Sequence, residues 1–370
     1  VVVIAFIAIF LAADPNSNVF KIVSFAWAGF GATFGPAMLC ALFWRRSNRQ
    51  GIMAGLVVGG VMIYASTVLL GDLKTTTITK DKTELGISEE TKSEAGITNI
   101  ALFGVDARDY DGGTFAGRSD AIMVMSIDNV HHKVKLTSIM RDVRVYMGDG
   151  SPYDSGYDKL NHAYMYGGPE QAIRAINQNF GLDIQDYVTV NFASMAKIVD
   201  AFGGVNIDLT EEEVEQININ MRDLAATSPD SMAGDVSTYA PLSAGEGVLL
   251  NGDEAVAYGR IRAIGDDNGR VERQQEVLSA LLSKASSISK LEYPSIIQQL
   301  APLCETSLTF DKMIGMAQIA LTGFDIERLS IPSDVEGYAS DYCEGGGWMW
   351  TYDTDVAAQH IHEFIYEDEN

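Results

Sequence analysis

Eighteen residues, "YGRIRAIGDDNGRVERQQ" at 258–275, hold Arg260, Arg262, Arg270 and Arg273 together with Asp266 and Asp267. Guanidinium groups so spaced, with Gln274 beside them, can present several donors to one anion. The planar fork of arginine suits paired phosphate oxygens better than a point charge does. Of the eleven arginines after residue 72, eight fall in two stretches, at 108, 118, 141 and 144 and then at 260, 262, 270 and 273. Surface ion pairing is the plain alternative in an acidic protein. Clustering beside glycines and aspartates shifts the reading towards an anion site.

The elements that must position these groups can be read locally. "ITNIALFGVD" (97–106) reads as a buried strand ending at Asp106. "SDAIMVMSIDNVHHKVKLTSIMRD" (119–142) is two β-rich runs around "NVHH", the pattern of a hairpin. Asp106 then follows the first strand, Arg118 and Asp120 open the second, and Arg141 and Asp142 close the third. Antiparallel neighbours would gather all of them at one end of the sheet, where catalytic residues commonly sit on loops.

Further along, "GGPEQAIRAINQNFG" (167–181) predicts a helix with Pro in its first turn and Gly closing it. "YVTVNF" (187–192) and "VNIDL" (205–209) predict strands, with a helix over "ASMAKIVDAFGG" (193–204) between them. Strands alternating with helices imply an α/β layered fold. The span 211–250 is acidic and loop-rich, and no role can be read from it. "NGDEAVAYG" (251–259) predicts a short capped helix, and "RIR" (260–262) an extended segment that points Arg260 and Arg262 the same way. After a "GDDNG" turn, residues 270–285 predict an amphipathic helix with Arg270 and Gln274 on one face. Its N-terminal N–H groups would also favour an anion.

At 370 residues, the chain has room for one large domain or two ordinary ones. Its formal net charge is −24, and after residue 72 there are 22 basic against 48 acidic groups, a net of −26. That argues against a nucleic-acid partner, since phosphate backbones are bound by positive surface. The first residue is not Met, so the start reads as a fragment or a processed end. Residues 23–44 and 51–70 are charge-free runs of roughly the 20 residues that a membrane-spanning helix needs. Between them, "RRSNRQ" marks a cytoplasmic loop, so everything after Asp72 is expected outside the cell membrane. Residues 73–96 are polar, without an apolar period, and read as a stalk. Cys304 and Cys343 are the only thiols after the spans. An oxidising compartment permits their pairing, worth about 3–4 kcal/mol in the chain-entropy model; two buried free thiols are the alternative. A CxxC-type zinc site is excluded by count.

Seven ordered motifs, "NIALFGVDAR", "GRSDAIMVMSID", "SIMRDVRV", "KLNHAYMYGG", "IVDAFGGVNIDL", "LNGDEAVAYGRIR" and "DDNGRVERQQ", make residues from about 97 to 285 resemble the LytR–CpsA–Psr family of cell-wall glycopolymer transferases. Met140 stands where that family usually has Pro. Residues 1–72 instead resemble a helix pair of the sodium/solute symporter family, the sodium–proline type especially. A helix pair cannot form an alternating-access transporter, so it reads as an anchor. The first resemblance implies a central mixed or antiparallel β-sheet flanked by helices, an α+β layered domain over 97–370. It implies transfer of a glycopolymer (teichoic acid, capsule or another) from a polyprenyl-diphosphate carrier to a peptidoglycan hydroxyl. By the same resemblance, Asp106 and Asp120 would hold magnesium (or manganese), a hard ion suited to carboxylate and phosphate oxygens. Arg118, Arg141, Arg260, Arg262, Arg270 and Gln274 would grip the diphosphate, Arg118 and Arg141 acting catalytically as well. Asp267 would accept the attacking hydroxyl's proton, with Arg108 and Arg144 in lesser roles. The polyprenyl chain would lie in an apolar tunnel whose walls the sequence does not identify.

Other residues carry plainer readings. His131 and His132 fall in the predicted hairpin turn, and His162 in "NHAY" suggests a structural hydrogen bond. His360 and His362 lack partners for a metal site. "EGGGWMW" (344–350) reads equally as a sugar-stacking loop or a packed turn. The same site with water as acceptor would be a polyprenyl-diphosphate phosphatase, and without chemistry a lipid- or glycopolymer-binding module. Transcriptional attenuation through DNA is opposed by the charge and the outside topology.

Overall fold

The computed structural model describes residues 74–91, 93–94, 96–106, 115, 117–227, 241–287, 296, 299–309, 312–313, 316, 324–342, 344 and 347–367. A short β1 (Lys74–Thr75) precedes the three long strands β2 (Ile97–Val105), β3 (Ser119–Asp128) and β4 (Lys133–Ile139). These form an antiparallel meander, in register from Ile97↔Asp128 to Val105↔Ser119 and from Met123↔Ser138 to Asp128↔Lys133. Their near-continuous apolar runs mark strands covered on both faces. The β3–β4 turn falls on "NVHH" as expected. Asp128 closes it by accepting from the N–H groups of Val130 at 2.8 Å and His131 at 3.0 Å.

After β4 come β5 (Arg144–Tyr146) and β6 (Tyr157–Lys159), paired with each other. The helical run α1 (Leu160–Phe180) follows, then β7 (Asp186–Asn191), α2 (Phe192–Ala201) and β8 (Val205–Leu209). The predicted helix at 167–181 is only the second half of α1. A first half, starting at Leu160, meets it at Gly167 and Gly168, whose backbone is non-helical. Gly181, at φ 64°, closes the run with its N–H on Asn177 O, a conformation that glycine adopts without steric cost.

The span from 211 onward is more regular than its composition suggested. It holds α3 (Glu211–Thr227) and β9 (Gly245–Leu250). In α3, Val214, Ile217, Met221 and Leu224 recur at helical spacing and pack inward. β9 pairs with β8 in a separate ribbon, so "VNIDL" is a strand but not one of the central sheet. Beyond it lie α4 (Gly252–Tyr258), α5 (Asp266–Ser287), β10 (Glu305–Thr306), β11 (Asp325–Ile331), β12 (Ala339–Tyr342), β13 (Trp348–Thr351) and α6 (Thr354–Tyr366).

The central sheet runs β1-β10-β7-β2-β3-β4-β11. It is mixed: β7 is parallel to β2, and β11 to β4. One face buries Phe103, Val124 and Ile139 against Ile173, Ile176 and Phe180 of α1 and Ile361 and Ile365 of α6. Facing the other side, α2 to α5 and the β8–β9 ribbon form their own core around Val199, Ile207, Ile217, Leu250 and Val277.

Several expectations need correcting. Residues 74–91 are not a free stalk: β1 adds to the sheet, and Ile78, Leu85 and Ile87 are buried in the first core. α5 begins at Asp266, not 270, because "GDDNG" supplies its first turn. Cys304 is a free thiol rather than half of a disulfide; Cys343 lies outside the described residues. So do Arg108 and the two apolar runs of residues 1–72. No described helix is long and apolar enough to cross a membrane.

Candidate active site

The strand ends do converge. Val105 pairs with Ser119, so Asp106 leaves the sheet beside Arg118 and Asp120, and the Asp106 N–H donates to Arg118 O at 3.3 Å. β4 returns antiparallel to β3, bringing Arg141 and Asp142 to the same edge. Arg141 donates from Nη1 to Asp120 Oδ1 at 2.6 Å and from Nε to Asp142 Oδ2 at 2.8 Å. Lys159 holds the other oxygen of Asp142 at 3.0 Å. Burial works against the charge on Arg141, but Asp120 and Asp142 outweigh it and hold the guanidinium above its ordinary pKa.

The opposite wall is set by α4. Asn251 and Glu254 form a reciprocal capping box, at 3.0 and 2.9 Å, that fixes the helix start. Gly252 lets α4 lie directly on α2, since a Cβ there would come within 2.0 Å of Ala196 O. At its end the chain turns through Arg260 N–H to Ala257 O and Ile261 N–H to Tyr258 O, at 3.3 and 3.1 Å. "RIR" is therefore a turn and not the extended segment predicted. Ile261 is nonetheless fully buried, which leaves Arg260 and Arg262 both exposed toward the cleft. The Arg260 guanidinium lies 5.4 Å from the Phe192 ring centroid.

The walls enclose a cleft of about 360 Å³. Asp106, Asp120 and Arg141 line it from the sheet edge, and Arg260, Arg262, Arg270 and Gln274 from the helices. Seven of the nine predicted site residues thus meet in one place. Asp267 stands just behind them, its Oδ1 3.4 Å from Arg270 Nη2. Arg118 is exposed at the sheet edge and is not a lining residue. Arg273 faces elsewhere, bonded to Glu213 and to Ile264 O. Arg144, given a lesser role, stacks on Tyr157 at 3.6 Å.

Arg270 is the unusual member. It is 3% exposed, yet its Nε and Nη1 have no hydrogen-bond partner. Burial, with Arg141 and Arg262 adding like charge, pushes its pKa below the ordinary value despite Asp267 and Asp120. Unpaired buried donors are costly. With four guanidiniums and two carboxylates among its lining residues, the cleft can offer several donors to a polyanion.

Sequence reasoning missed Phe192 and Asn220, which also line the cleft. Asn220 sits on α3, whose apolar spacing was there to be read. Phe192, Gly259 and Gln274 are shared with a second cavity, apolar and about 220 Å³. Leu102, Met123 and Val188 form its sheet wall, and Met195, Val256 and Val277 its helical wall. Gly104 and Ala121, opposite each other in the meander, keep the sheet side open near the cleft. The polar cleft thus leads into an apolar hole.

A divalent cation fits the carboxylates in kind. Asp106 and Asp120 both line the cleft, and the bond from Arg141 takes only one oxygen of Asp120. Among the described residues, no group of three or more His, Cys, Asp or Glu is poised for a metal. A cation here would have to complete its shell with ligand oxygens or water.

His162 makes the structural hydrogen bond expected of it, and three further histidines, His131 of the turn among them, are also held by partners. His162 Nδ1 bonds Asp158 Oδ2 at 3.0 Å, His360 bonds Glu336 at 2.6 Å, and His362 bonds the carbonyls of Phe180 and Gly181. His131 pairs with Asp128 in its turn.

Set against known proteins, residues 62–364 match the LytR_cpsA_psr family and residues 1–59 the Sodium:solute symporter family. A Bacillus mycoides (strain KBAB4) protein called polyisoprenyl-teichoic acid–peptidoglycan teichoic acid transferase TagU is 28% identical over 329 residues, 86% of this chain and 94% of its own. A TagU of the same description from Bacillus anthracis (strain CDC 684 / NRRL 3495) is 30% identical over 331 residues, with the same coverage. Among solved structures, that of B. subtilis TagT has a TM-score of 0.57 at 21% identity, covering 78% of this chain and 99% of TagT. Another, of the LytR-CPS2A-psr family protein YwtF (TagT) with bound octaprenyl pyrophosphate lipid, has a TM-score of 0.54 at 20% identity, with the same coverage. At those identities the structural likeness is one of fold.

Proposed function

The chain belongs to the LytR_cpsA_psr family, and on that premise we propose that it transfers a glycopolymer from a polyprenyl-diphosphate carrier to a hydroxyl of peptidoglycan. The observation that carries this reading is the junction of two unlike cavities. Arg270, buried with two unpaired donors, stands in a polar cleft that shares Phe192, Gly259 and Gln274 with an apolar cavity. A lipid diphosphate has those two halves in that order. The transferase names of the curated relatives support the same assignment.

The donor's diphosphate lies in the cleft, its oxygens accepting from Arg260, Arg262, Arg270 and Gln274. Its polyprenyl chain enters between sheet and helices, where each buried methylene contributes about 0.8 kcal/mol. Arg141, already fixed by Asp120 and Asp142, offers a guanidinium of set orientation to the sugar-linked phosphate. Arg118, exposed at the sheet edge beside Asp106, adds positive charge at the mouth of the cleft. The acceptor oxygen attacks the sugar-linked phosphorus, the bond to polyprenyl phosphate breaks, and polyprenyl phosphate leaves. The hydroxyl proton passes to a carboxylate oxygen of Asp267. Phosphoryl transfer of this kind needs alignment and charge neutralisation more than covalent help from the protein.

Asp106 and Asp120 are the residues that would hold magnesium. When bound, the ion supplies positive charge to the diphosphate oxygens. The lipid carrier places the reaction at a membrane surface, which suits a domain tethered through residues 1–72. Teichoic acid, the cargo named for the relatives, is the first polymer to test.

Product analysis with a defined polyprenyl-diphosphate-linked oligosaccharide tests the reading. With peptidoglycan oligomers present, the oligosaccharide phosphate should appear on the oligomer and polyprenyl phosphate should be released. Release of free sugar phosphate at the same rate with and without oligomers would instead identify water as the acceptor.

A further inference from the structure

We propose that Trp348, Trp350 and Tyr338 form the platform on which the acceptor glycan, an N-acetylhexosamine chain, lies during transfer. The proposal rests on the transferase reading above and adds the acceptor's location. The three rings form a row. Trp348 meets Trp350 at a centroid distance of 4.6 Å and 72°, and Tyr338 meets Trp350 at 5.0 Å and 86°. None is fully covered: each is partly exposed, unlike Met349 between the tryptophans, which is buried. Aromatic rings of this kind offer an apolar face beside a polar edge, the pairing that a sugar ring presents in return.

The row is tied to the sequence neighbours of two site residues, Arg141 and Asp267. The backbone N–H of Trp350 donates to Asp142 O at 2.9 Å, one residue from Arg141. Lys159 bonds the Asp142 carboxylate and lies 5.8 Å from the Trp348 ring. On the other wall, Asn268 Nδ2 donates to Tyr338 Oη at 3.1 Å, and Asn268 follows Asp267. The aromatic row therefore spans from the Arg141 side to the Asp267 side.

Direction of attack selects this side. In an in-line displacement, the entering and leaving oxygens lie on opposite sides of phosphorus. The leaving polyprenyl phosphate belongs to the apolar cavity, which opens at Phe192, Gly259 and Gln274. None of those three bonds or stacks with the aromatic row, whereas Asp267, assigned to take the hydroxyl proton, adjoins it through Asn268. An acceptor seated on Trp348 and Tyr338 approaches from the side that holds the base.

Steady-state transfer by the full chain tests this, with peptidoglycan glycan oligomers as acceptor and a polyprenyl-diphosphate-linked oligosaccharide as donor. Trp348→Ala should raise the acceptor KM about tenfold or more while kcat and the donor KM stay within about twofold. Trp348→Tyr, which keeps a ring, should return the acceptor KM close to wild type. If Trp348→Ala does not fold, Trp348→Leu carries the same expectation. Oligomers added alone should also shift the tryptophan fluorescence of the wild type, and the shift should vanish in the ring-less variant. A folded ring-less variant that transfers with an unchanged acceptor KM overturns the platform and leaves the transferase reading standing. Oligomer binding through Trp348 without any transfer by the wild type overturns the transferase reading instead.

Discussion

Arg141 Nη1 reaches Asp120 Oδ1 at 2.6 Å, joining the loop after the third long strand to the second residue of the strand before it. One guanidinium of the cleft is thus neutralised and aimed before any ligand arrives. Arg270, in the same cleft, keeps two donors unpaired. The contrast separates a positioned group from one that waits for its counter-charge.

Replacing Arg270 should trade activity for stability. Arg270→Met removes a buried charge with unpaired donors and two like-charged neighbours, at the loss of a 3.4 Å contact to Asp267. Relief of the unsatisfied donors is worth about 1–3 kcal/mol, so thermal unfolding of the ligand-free variant should shift upward while transfer falls at least a hundredfold. Sites that stabilise when mutated commonly serve function. A variant less stable than wild type would show that Arg270 supports the fold.

The apolar cavity should set lipid affinity. Ala121→Leu fills cavity space beside Gly104, a position so close that even an added Cβ would sit 3.0 Å from Ala121 Cβ. Donor KM should rise about tenfold for a long polyprenyl chain and much less for a short one, measured with a donor series of increasing prenyl length. Equal effects at every length would place the lipid elsewhere.

Acid should loosen the Arg141 anchor. Burial alone would raise the Asp142 carboxyl, but Arg141 and Lys159 overcome it and hold the pKa below its ordinary value. Asp158 is shifted in the same direction by His162, Tyr166 and the Lys159 N–H, against its burial. A depressed folded-state pKa contributes stability above the unfolded value, near 3.9, which is lost as pH falls through the folded value. Melting temperature should therefore drop steeply below about pH 4. Asp142→Asn should start lower at neutral pH and fall less steeply. Parallel curves for variant and wild type would remove Asp142 from this account.

Cys304 should be a slow thiol. Burial pushes its pKa up to about 11. Since the thiolate is the reactive form, alkylation by iodoacetamide at pH 8 should run about a hundredfold slower than for a free cysteine, and accelerate once the chain is unfolded. Peptide mass spectrometry distinguishes it from Cys40 and Cys343. Rapid labelling of the folded chain would contradict the burial.

The site was more legible than its scaffold. Asp106, Arg118, Asp120 and Arg141 stood out because they punctuate three apolar strand runs, and the antiparallel meander places them at one edge. Arg260 and Arg262 stood out by spacing. They do share the cleft, although the backbone between them is a turn, because burial of Ile261 enforces the same alternation as a strand would. The helix carrying Asn220 was hidden by the glutamates at its start, although Val214, Ile217, Met221 and Leu224 recur at helical spacing. The packing of Ile78, Leu85 and Ile87 could not be read, since three isolated apolar residues in a polar stretch have no local period. The walls of the apolar cavity were equally silent. Leu102, Val188 and Val277 look like any core residue until the sheet and helices are seen to stand apart.

The central claim is that a cluster of guanidiniums clamps a lipid-linked diphosphate for transfer to the wall. Its most direct test is the transfer rate from a defined polyprenyl-diphosphate donor to peptidoglycan oligomers, for wild type and Arg260→Ala, each with magnesium and with chelator. Wild type with magnesium should be fastest, and either the chelator or the loss of Arg260 should slow it at least tenfold. Equal rates in all four reactions would contradict the mechanism while leaving the fold untouched.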